Sequence, residues 1–303
     1  MTIHTRLAAD ACQGWALGCC RPGASHLRSG QPCQDAYAVR VGTHAGTDYV
    51  AAAVADGHGD ARHDRSASGA ALAVDAALGK MALFVRNVTG SESSAQIRNL
   101  FRGDFPRAVL RQWREMVRAD AEALGDAGED AGLFSRYGTT LLTALSVRGM
   151  LLLSQLGDGA VAVVWPDGSV EMPFPDDGKV GGDVFSLSSK QATLVCRTRV
   201  VDVSGGALVL VATDGLVNAF TDMEQFRIFV RSLVDRIGGY GLDKVAAALP
   251  SWLDGYSIGG SGDDITLALV HIPESSAAAD GVDTAVSDEP PVTSEADDEH
   301  PGR

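Results

Sequence analysis

The chemically suggestive feature of this 303-residue chain is a set of aspartates set against glycine at the ends of short apolar runs. The run 50–55 ends in Asp56–Gly57–His58–Gly59. Ala207–Ala212 runs into Thr213–Asp214–Gly215, and Met150–Leu156 into Gly157–Asp158–Gly159. Gly262–Asp263–Asp264 stands directly before the apolar run 265–270. Singly, Asp-Gly turns a chain; repeated, the device puts carboxylates at strand ends. If the last run lies antiparallel to the strands before Asp56 and Asp214, then Asp56, Asp214 and Asp263 share one edge of the core. Asp158, at a hairpin tip, can join them. Carboxylates gathered with no Lys or Arg between them repel one another and shift their pKa strongly unless a cation neutralises them. Oxygen-only ligands favour Mg²⁺ or Mn²⁺ over zinc. Two such ions suit phosphoryl hydrolysis, lowering the pKa of a shared water and clamping the displaced oxygens. His58, beside Asp56, is placed to protonate a leaving alcohol.

The elements that must position these groups are short strands and two sets of helices. Alternation and apolar runs predict strands over 13–21, 36–42 and 48–55, with a turn-rich segment 21–34 between the first two. Spacing of three and four predicts a helix over 61–85, with Ala67, Ala71, Val74, Leu78 and Met81 recurring, then a loop over 87–94. A second helix over 95–124 turns Ile97, Leu100, Val109, Trp113 and Met116 inward and is broken or kinked at Pro106. After a loop over 125–132 the period changes to a meander of strands over 139–147, 150–156, 160–165 and 169–172, with Asp167–Gly168 as a hairpin turn. A loop over 174–187, rich in Pro, Asp and Gly, is large enough to border a site. Strands return over 193–203 and 207–212. Thr221 and Glu224 have the spacing of a capping box that opens a helix through 237, and a further helix covers 242–253. Hairpinned strands with helix pairs set apart in sequence point to an α+β sandwich rather than a doubly wound sheet.

Composition narrows the class. A 45% hydrophobic chain of this length can bury one large core, and no Pro/Ser-rich or charged linker interrupts residues 1–273. The formal net charge of −14 argues against partners such as nucleic acid or an anionic membrane. From 274 to 303 there are nine acidic residues and one basic, with no aromatic, which reads as a disordered acidic tail. The N-terminus has no basic segment followed by an apolar stretch, and no run approaches the ~20 residues of a membrane span. The five cysteines form an odd, irregular set that points to a reduced cytoplasm. Cys19, Cys20, His26 and Cys33 match no paired zinc spacing and read as scattered structural thiols.

Six ordered motifs now bear on one another: Pro32–Cys33–Gln34–Asp35–Ala36, Ala55–Asp56–Gly57–His58–Gly59, Gly138–Thr139–Thr140, Gly157–Asp158–Gly159, Ala212–Thr213–Asp214–Gly215 and Asp263–Asp264–Ile265–Thr266. Together, over residues 12–272, they resemble the metal-dependent type 2C protein serine/threonine phosphatases, the PPM family. The resemblance implies a central β-sandwich of two antiparallel sheets flanked by helix pairs, with residues 1–273 as the catalytic domain. It implies Mn²⁺ or Mg²⁺ as cofactor, two ions, with Asp158 matching the aspartate of a weaker third. Asp56 resembles the carboxylate bridging both ions, the Gly57 carbonyl a ligand of the second, and Asp214 and Asp263 the remaining ligands of the first. His58 occupies the general-acid position. Gly-Asp-Gly at 157–159 is also simply a good turn.

Two departures stand out. The family commonly has Glu-Asp where this chain has Gln34–Asp35; glutamine keeps the hydrogen-bonding shape and loses the charge, which Asp35 can partly supply to the metal. Four residues earlier the family usually carries a phosphate-gripping arginine, and here stands Gly30, leaving Arg28 or His26 as substitutes or as surface residues. The Pro-Cys-Gln-Asp variant resembles a bacterial branch of the family. The implied activity is hydrolysis of phosphoserine and phosphothreonine in a protein substrate of a Ser/Thr kinase, by attack of a metal-bridging hydroxide. The alternative is a catalytically weak pseudophosphatase that binds phosphoproteins, favoured by Gln34 and Gly30 and opposed by Asp56, His58, Asp214 and Asp263. A small-molecule phosphoester hydrolase stays open beside them.

Overall fold

Segments such as LLTALSV, MLLLSQL and AVAVV are apolar on both faces, which a strand can bury only when it is covered from both sides. The computed structural model, which describes residues 5–8, 14–88, 92–126, 130–174 and 184–274, supplies that double cover. Its first half contains β1 (Thr5–Ala8), β2 (Trp15–Arg21), α1 (Ala24–Ser29), β3 (Asp35–His44) and β4 (Thr47–Asp56). The helices α2 (Ser66–Asn87), α3 (Ser94–Ala123) and α4 (Asp130–Arg136) follow. Then come β5 (Leu141–Val147), β6 (Met150–Leu156), β7 (Ala160–Val164), β8 (Val170–Glu171), α5 (Ala192–Val195), β9 (Arg197–Asp202) and β10 (Ala207–Ala212). The chain closes with α6 (Asp214–Val217), α7 (Met223–Tyr240), α8 (Leu242–Tyr256) and β11 (Ile265–Ile272).

Two antiparallel sheets result, ordered β1-β2-β11-β10-β7-β8 and β3-β4-β5-β6-β9. Strand periodicity divides the side chains among three cores. On β4, Ala51, Ala53 and Ala55 face α2 and α3 while Val50, Ala52 and Val54 face the other sheet. On β11, Ala268, Val270 and Ile272 enter the inter-sheet core, and Ile265, Leu267 and Leu269 pack with α7 and α8. The α+β sandwich, helices outside and sheets inside, is therefore present as expected.

Several local expectations are corrected. Helix α3 runs unbroken through Pro106. Ile97, Phe101, Phe105, Val109, Trp113, Val117 and Ala121, four residues apart, are all buried, and packing along that stripe outweighs one missing backbone hydrogen bond. Leu100, off the stripe, is exposed, as is Ala71 on α2. The capping box lies at Ser93 and Gln96, whereas α7 is capped by Asp222 accepting from the Gln225 amide. Short helices occupy parts of three segments read as turns, loop or strand: α1, α4 and α5. By length and composition α2 is apolar enough to cross a membrane; its buried face instead packs on the β3–β4–β5 sheet and α3. The Asp167–Gly168 hairpin forms between β7 and β8. Residues 175–183 of the predicted site-bordering loop and 275–303 of the acidic tail lie outside the described residues.

Candidate active site

The carboxylates sit where strands end. Asp56 closes β4 and stands opposite Asp35, the first residue of β3, across the ladder. Its backbone is held from the side: the amide donates to Thr140 Oγ1 at 3.0 Å, and Thr139 Oγ1 donates to its carbonyl at 2.9 Å. The Gly138–Thr139–Thr140 motif is thus a clamp on the Asp56 backbone. In the other sheet β10 and β11 are antiparallel, so the end of β10 and the start of β11 share an edge. Asp214 opens α6 just after β10, and Asp263 and Asp264 precede β11. Asp158 lies between β6 and β7.

Electrostatics show that these ends converge. Burial pushes the Asp56 carboxyl well above the usual range, and the nearby carboxylates of Asp35, Asp214 and Asp263 push it further. Asp158 is pushed up to about 6 by partial burial and by Asp214 and Asp263. Asp263, exposed at the rim, is raised in the same direction by desolvation and by Asp214 and Asp264. Asp35 is raised by burial, by Cys20 and by Asp264, while Thr213 Oγ1 donates to its Oδ2 at 2.8 Å. Asp214 Oδ2 accepts from Asn218 at 3.0 Å, and its Oδ1 is buried with no hydrogen-bond partner.

A buried, unpartnered carboxylate oxygen among carboxyl groups that raise one another's pKa fits an all-oxygen site for a hard divalent cation. Among the described residues no three His, Cys, Asp or Glu side chains already form a metal-holding group. The cation would draw together groups that here repel.

Residues 22–254 match a family model described as protein phosphatase 2C. The chain belongs to the protein phosphatase 2C family. No curated protein matches it in sequence. RsbX, solved in complex with magnesium, is similar in fold: 15% identical, TM-score 0.52, over 89% of this chain and 99% of that one. A bacterial serine phosphatase is 14% identical, with TM-score 0.54 over 85% and 97%. PppA, described as a key regulatory component of the T6SS in Pseudomonas aeruginosa, is 18% identical, with TM-score 0.52 over 88% and 100%.

In this phosphatase 2C family chain the two sequence departures have structural settings. Gln34 lies across the two sheets: its amide N–H donates to Asp264 Oδ2 at 2.6 Å and its carbonyl accepts from Gly57 at 3.1 Å. Its side-chain Nε2 donates to Ser66 Oγ at 2.8 Å and reaches the His58 carbonyl at 3.4 Å, donations an ionised glutamate cannot make. Gly30 caps the C-terminus of α1 with φ 73°, the left-handed region that glycine fills without strain. Arg28 is exposed on α1. His26 Nδ1 lies 2.9 Å from Asp264 Oδ1, which ties this nitrogen to the protein.

Asp264 is the residue that sequence reasoning passed over. Only 3% exposed, it also accepts from the Gly23 amide at 2.5 Å, and so holds the 23–34 segment against the start of β11. The signal was available: a carboxylate adjoining a strand this apolar, ITLALVHI, must find partners. Gly215 packs so closely there that a Cβ would stand 1.9 Å from the Asp264 carbonyl oxygen. His63 was also missed. Its ring centroid lies 4.7 Å from that of His58, and its Nδ1 meets the Ser135 carbonyl. Burial, with the His63 charge adding, lowers the His58 pKa.

Proposed function

We propose that this protein phosphatase 2C family member is a Mn²⁺- or Mg²⁺-dependent phosphatase of phosphoserine and phosphothreonine in proteins. The observation that carries the reading is the buried, unpartnered Asp214 Oδ1 beside Asp56, whose own pKa is raised by burial and by the charges of Asp35, Asp214 and Asp263. Asp56, Asp214, Asp263 and the Gly57 carbonyl would hold two ions, with Asp158 available to a third and Asp35 close to Asp56. When bound, such ions supply a water of lowered pKa and positive charge against the phosphate. The chain's own contribution is to orient these oxygens; His58 follows Asp56 by two residues, and the charges that act on its ring are those of His63 and Asp60. A lowered pKa makes protonated His58 the stronger acid toward the leaving Ser or Thr oxygen. The products are inorganic phosphate and the free side-chain hydroxyl. We extend the proposal to kinase-modified protein substrates in the cytoplasm, with exposed Arg28 as a candidate phosphate contact.

The test is hydrolysis of para-nitrophenyl phosphate and of a phosphothreonine peptide against added Mn²⁺, with EDTA and Asp214→Asn as controls. Turnover that needs the metal and is lost in both controls is the expected result. A folded protein that binds the phosphopeptide yet turns over neither substrate at any Mn²⁺ level would overturn the enzyme reading. Gln34 and Gly30 would then support the binding-module alternative. Turnover of the small ester without the peptide would move the substrate class to small phosphoesters.

A further inference from the structure

Cys20, on β2, and Cys33, two residues before β3, come from different sheets and from positions thirteen residues apart, yet their sulfurs lie 3.4 Å from each other. Both thiols also approach the Asp35 carbonyl oxygen, at 3.8 and 3.9 Å. Both residues are partly exposed, whereas Cys19 is buried in the α7–α8 core. They are not the scattered thiols expected from spacing.

We propose that Cys20 and Cys33 form a reversible disulfide when the protein meets a peroxide, and that this bond lowers turnover at the neighbouring carboxylate site. The functional half rests on the phosphatase reading; the bond itself does not. In the first step one thiol takes an oxygen from hydrogen peroxide, giving a sulfenic acid and one water. The second thiol then attacks that sulfur, forming the S–S bond and expelling a second water. Two thiols are oxidised, one peroxide is reduced, and no other co-reactant is needed.

A disulfide requires the sulfurs to close from 3.4 Å to about 2.05 Å. The closure pulls directly on Gln34 and Asp35, which follow Cys33. The Gln34 amide is anchored on Asp264 at 2.6 Å and the Asp35 carboxyl on Thr213 at 2.8 Å. The bond would join the two sheets covalently at the rim of the site and enclose α1 with His26 and Arg28 in its loop. A shift of about 1 Å in positioning groups is enough to cost on the order of 10²-fold in rate.

The experiment treats the purified full-length chain with hydrogen peroxide, blocks remaining thiols with an alkylating agent, and maps peptides by mass with and without dithiothreitol. A crosslinked Cys20–Cys33 peptide that dithiothreitol releases is expected, with Cys196 still alkylated. Cys20→Ser and Cys33→Ser should each abolish the crosslink, and Cys196→Ser should not. Pairing of either thiol with Cys12, Cys19 or Cys196, or sulfinic acid at Cys20 or Cys33 without a crosslink, would overturn the assignment. In parallel, Mn²⁺-supported hydrolysis of para-nitrophenyl phosphate should fall at least five-fold on oxidation and recover with dithiothreitol. A crosslink that leaves an active protein's turnover unchanged overturns the regulatory half. If the protein lacks turnover in either state, a Mn²⁺-induced melting shift that is equal before and after oxidation overturns it too. Because the bond is read by mass, its absence is distinct from a failure of the phosphatase reading.

Discussion

Two groups of aspartates in this molecule are treated in opposite ways. Away from the sandwich rim several carboxylates are paired with guanidinium groups. Arg136 serves both Asp64 and Asp126, Arg21 meets Asp254 in a two-pronged pair at 2.5 and 2.8 Å, and Arg118 meets Asp130. Hydrogen bonds from Arg136 and Arg118 hold Asp64 and Asp130 below the ordinary carboxylate range. At the sandwich rim Asp35, Asp56, Asp158 and Asp263 are all raised, by burial and by neighbouring acidic groups, Cys20 among them for Asp35. Threonine hydroxyls and backbone amides fix their positions without neutralising their charge. The flank carboxylates are neutralised by their guanidinium partners as folded; under the proposed function the rim carboxylates would be neutralised by a cation. That difference separates a structural carboxylate from a functional one more sharply than burial does.

Asp56→Asn should cut Mn²⁺-dependent turnover by on the order of 10³-fold, about 4 kcal/mol of transition-state stabilisation. Without metal the same variant should be no less stable than the parent, because it removes repulsion; a marked loss in chelator-treated denaturation would place Asp56 with the structural carboxylates. Gly215→Ala should cost about 1–3 kcal/mol through overpacking against the Asp264 carbonyl. It should also weaken the Mn²⁺-induced melting shift, since Asp214 is the adjacent residue. Folding without metal should depend on pH in a stated sense. The folded-state pKa values of Asp56 and Asp158 are raised, so the folded chain binds more protons than the unfolded one. Stability therefore falls as pH rises from about 4 through about 6. Mn²⁺ should flatten that slope, and urea titrations that show the same slope with and without Mn²⁺ would remove the rim from the argument. The smallest effect belongs to the flank: Arg21→Ala should cost about 1 kcal/mol and leave Mn²⁺ affinity unchanged.

Much of the fold was readable because its signals are local. Short apolar runs, Leu-rich in β6 and Val-containing in β10, located both strands to the residue, and the Asp-Gly turns marked the strand ends. Errors fell where packing overrides local preference: Pro106 inside α3, and short helices in segments of turn or strand composition. Within the site, Asp263 and Asp264 are chemically identical neighbours, and the only local difference between them is that Asp264 adjoins β11. In the folded chain Asp264 turns inward to Gly23, His26 and Gln34, and Asp263 stays outside.

Strand periodicity and turn chemistry act over a few residues, so carboxylates at the strand ends of an α+β sandwich are legible in the order of the residues alone. Which carboxylates acquire partners, and which keep other carboxylates as neighbours, follows from how distant elements stack. Those choices rest on contacts such as His26 to Asp264, 238 residues apart, and Thr213 to Asp35, 178 apart. The tertiary structure likewise brought Cys20 to Cys33 and His63 to His58. Side chains from separate elements meet according to how sheets and helices stack, and a run of neighbouring residues does not encode that geometry.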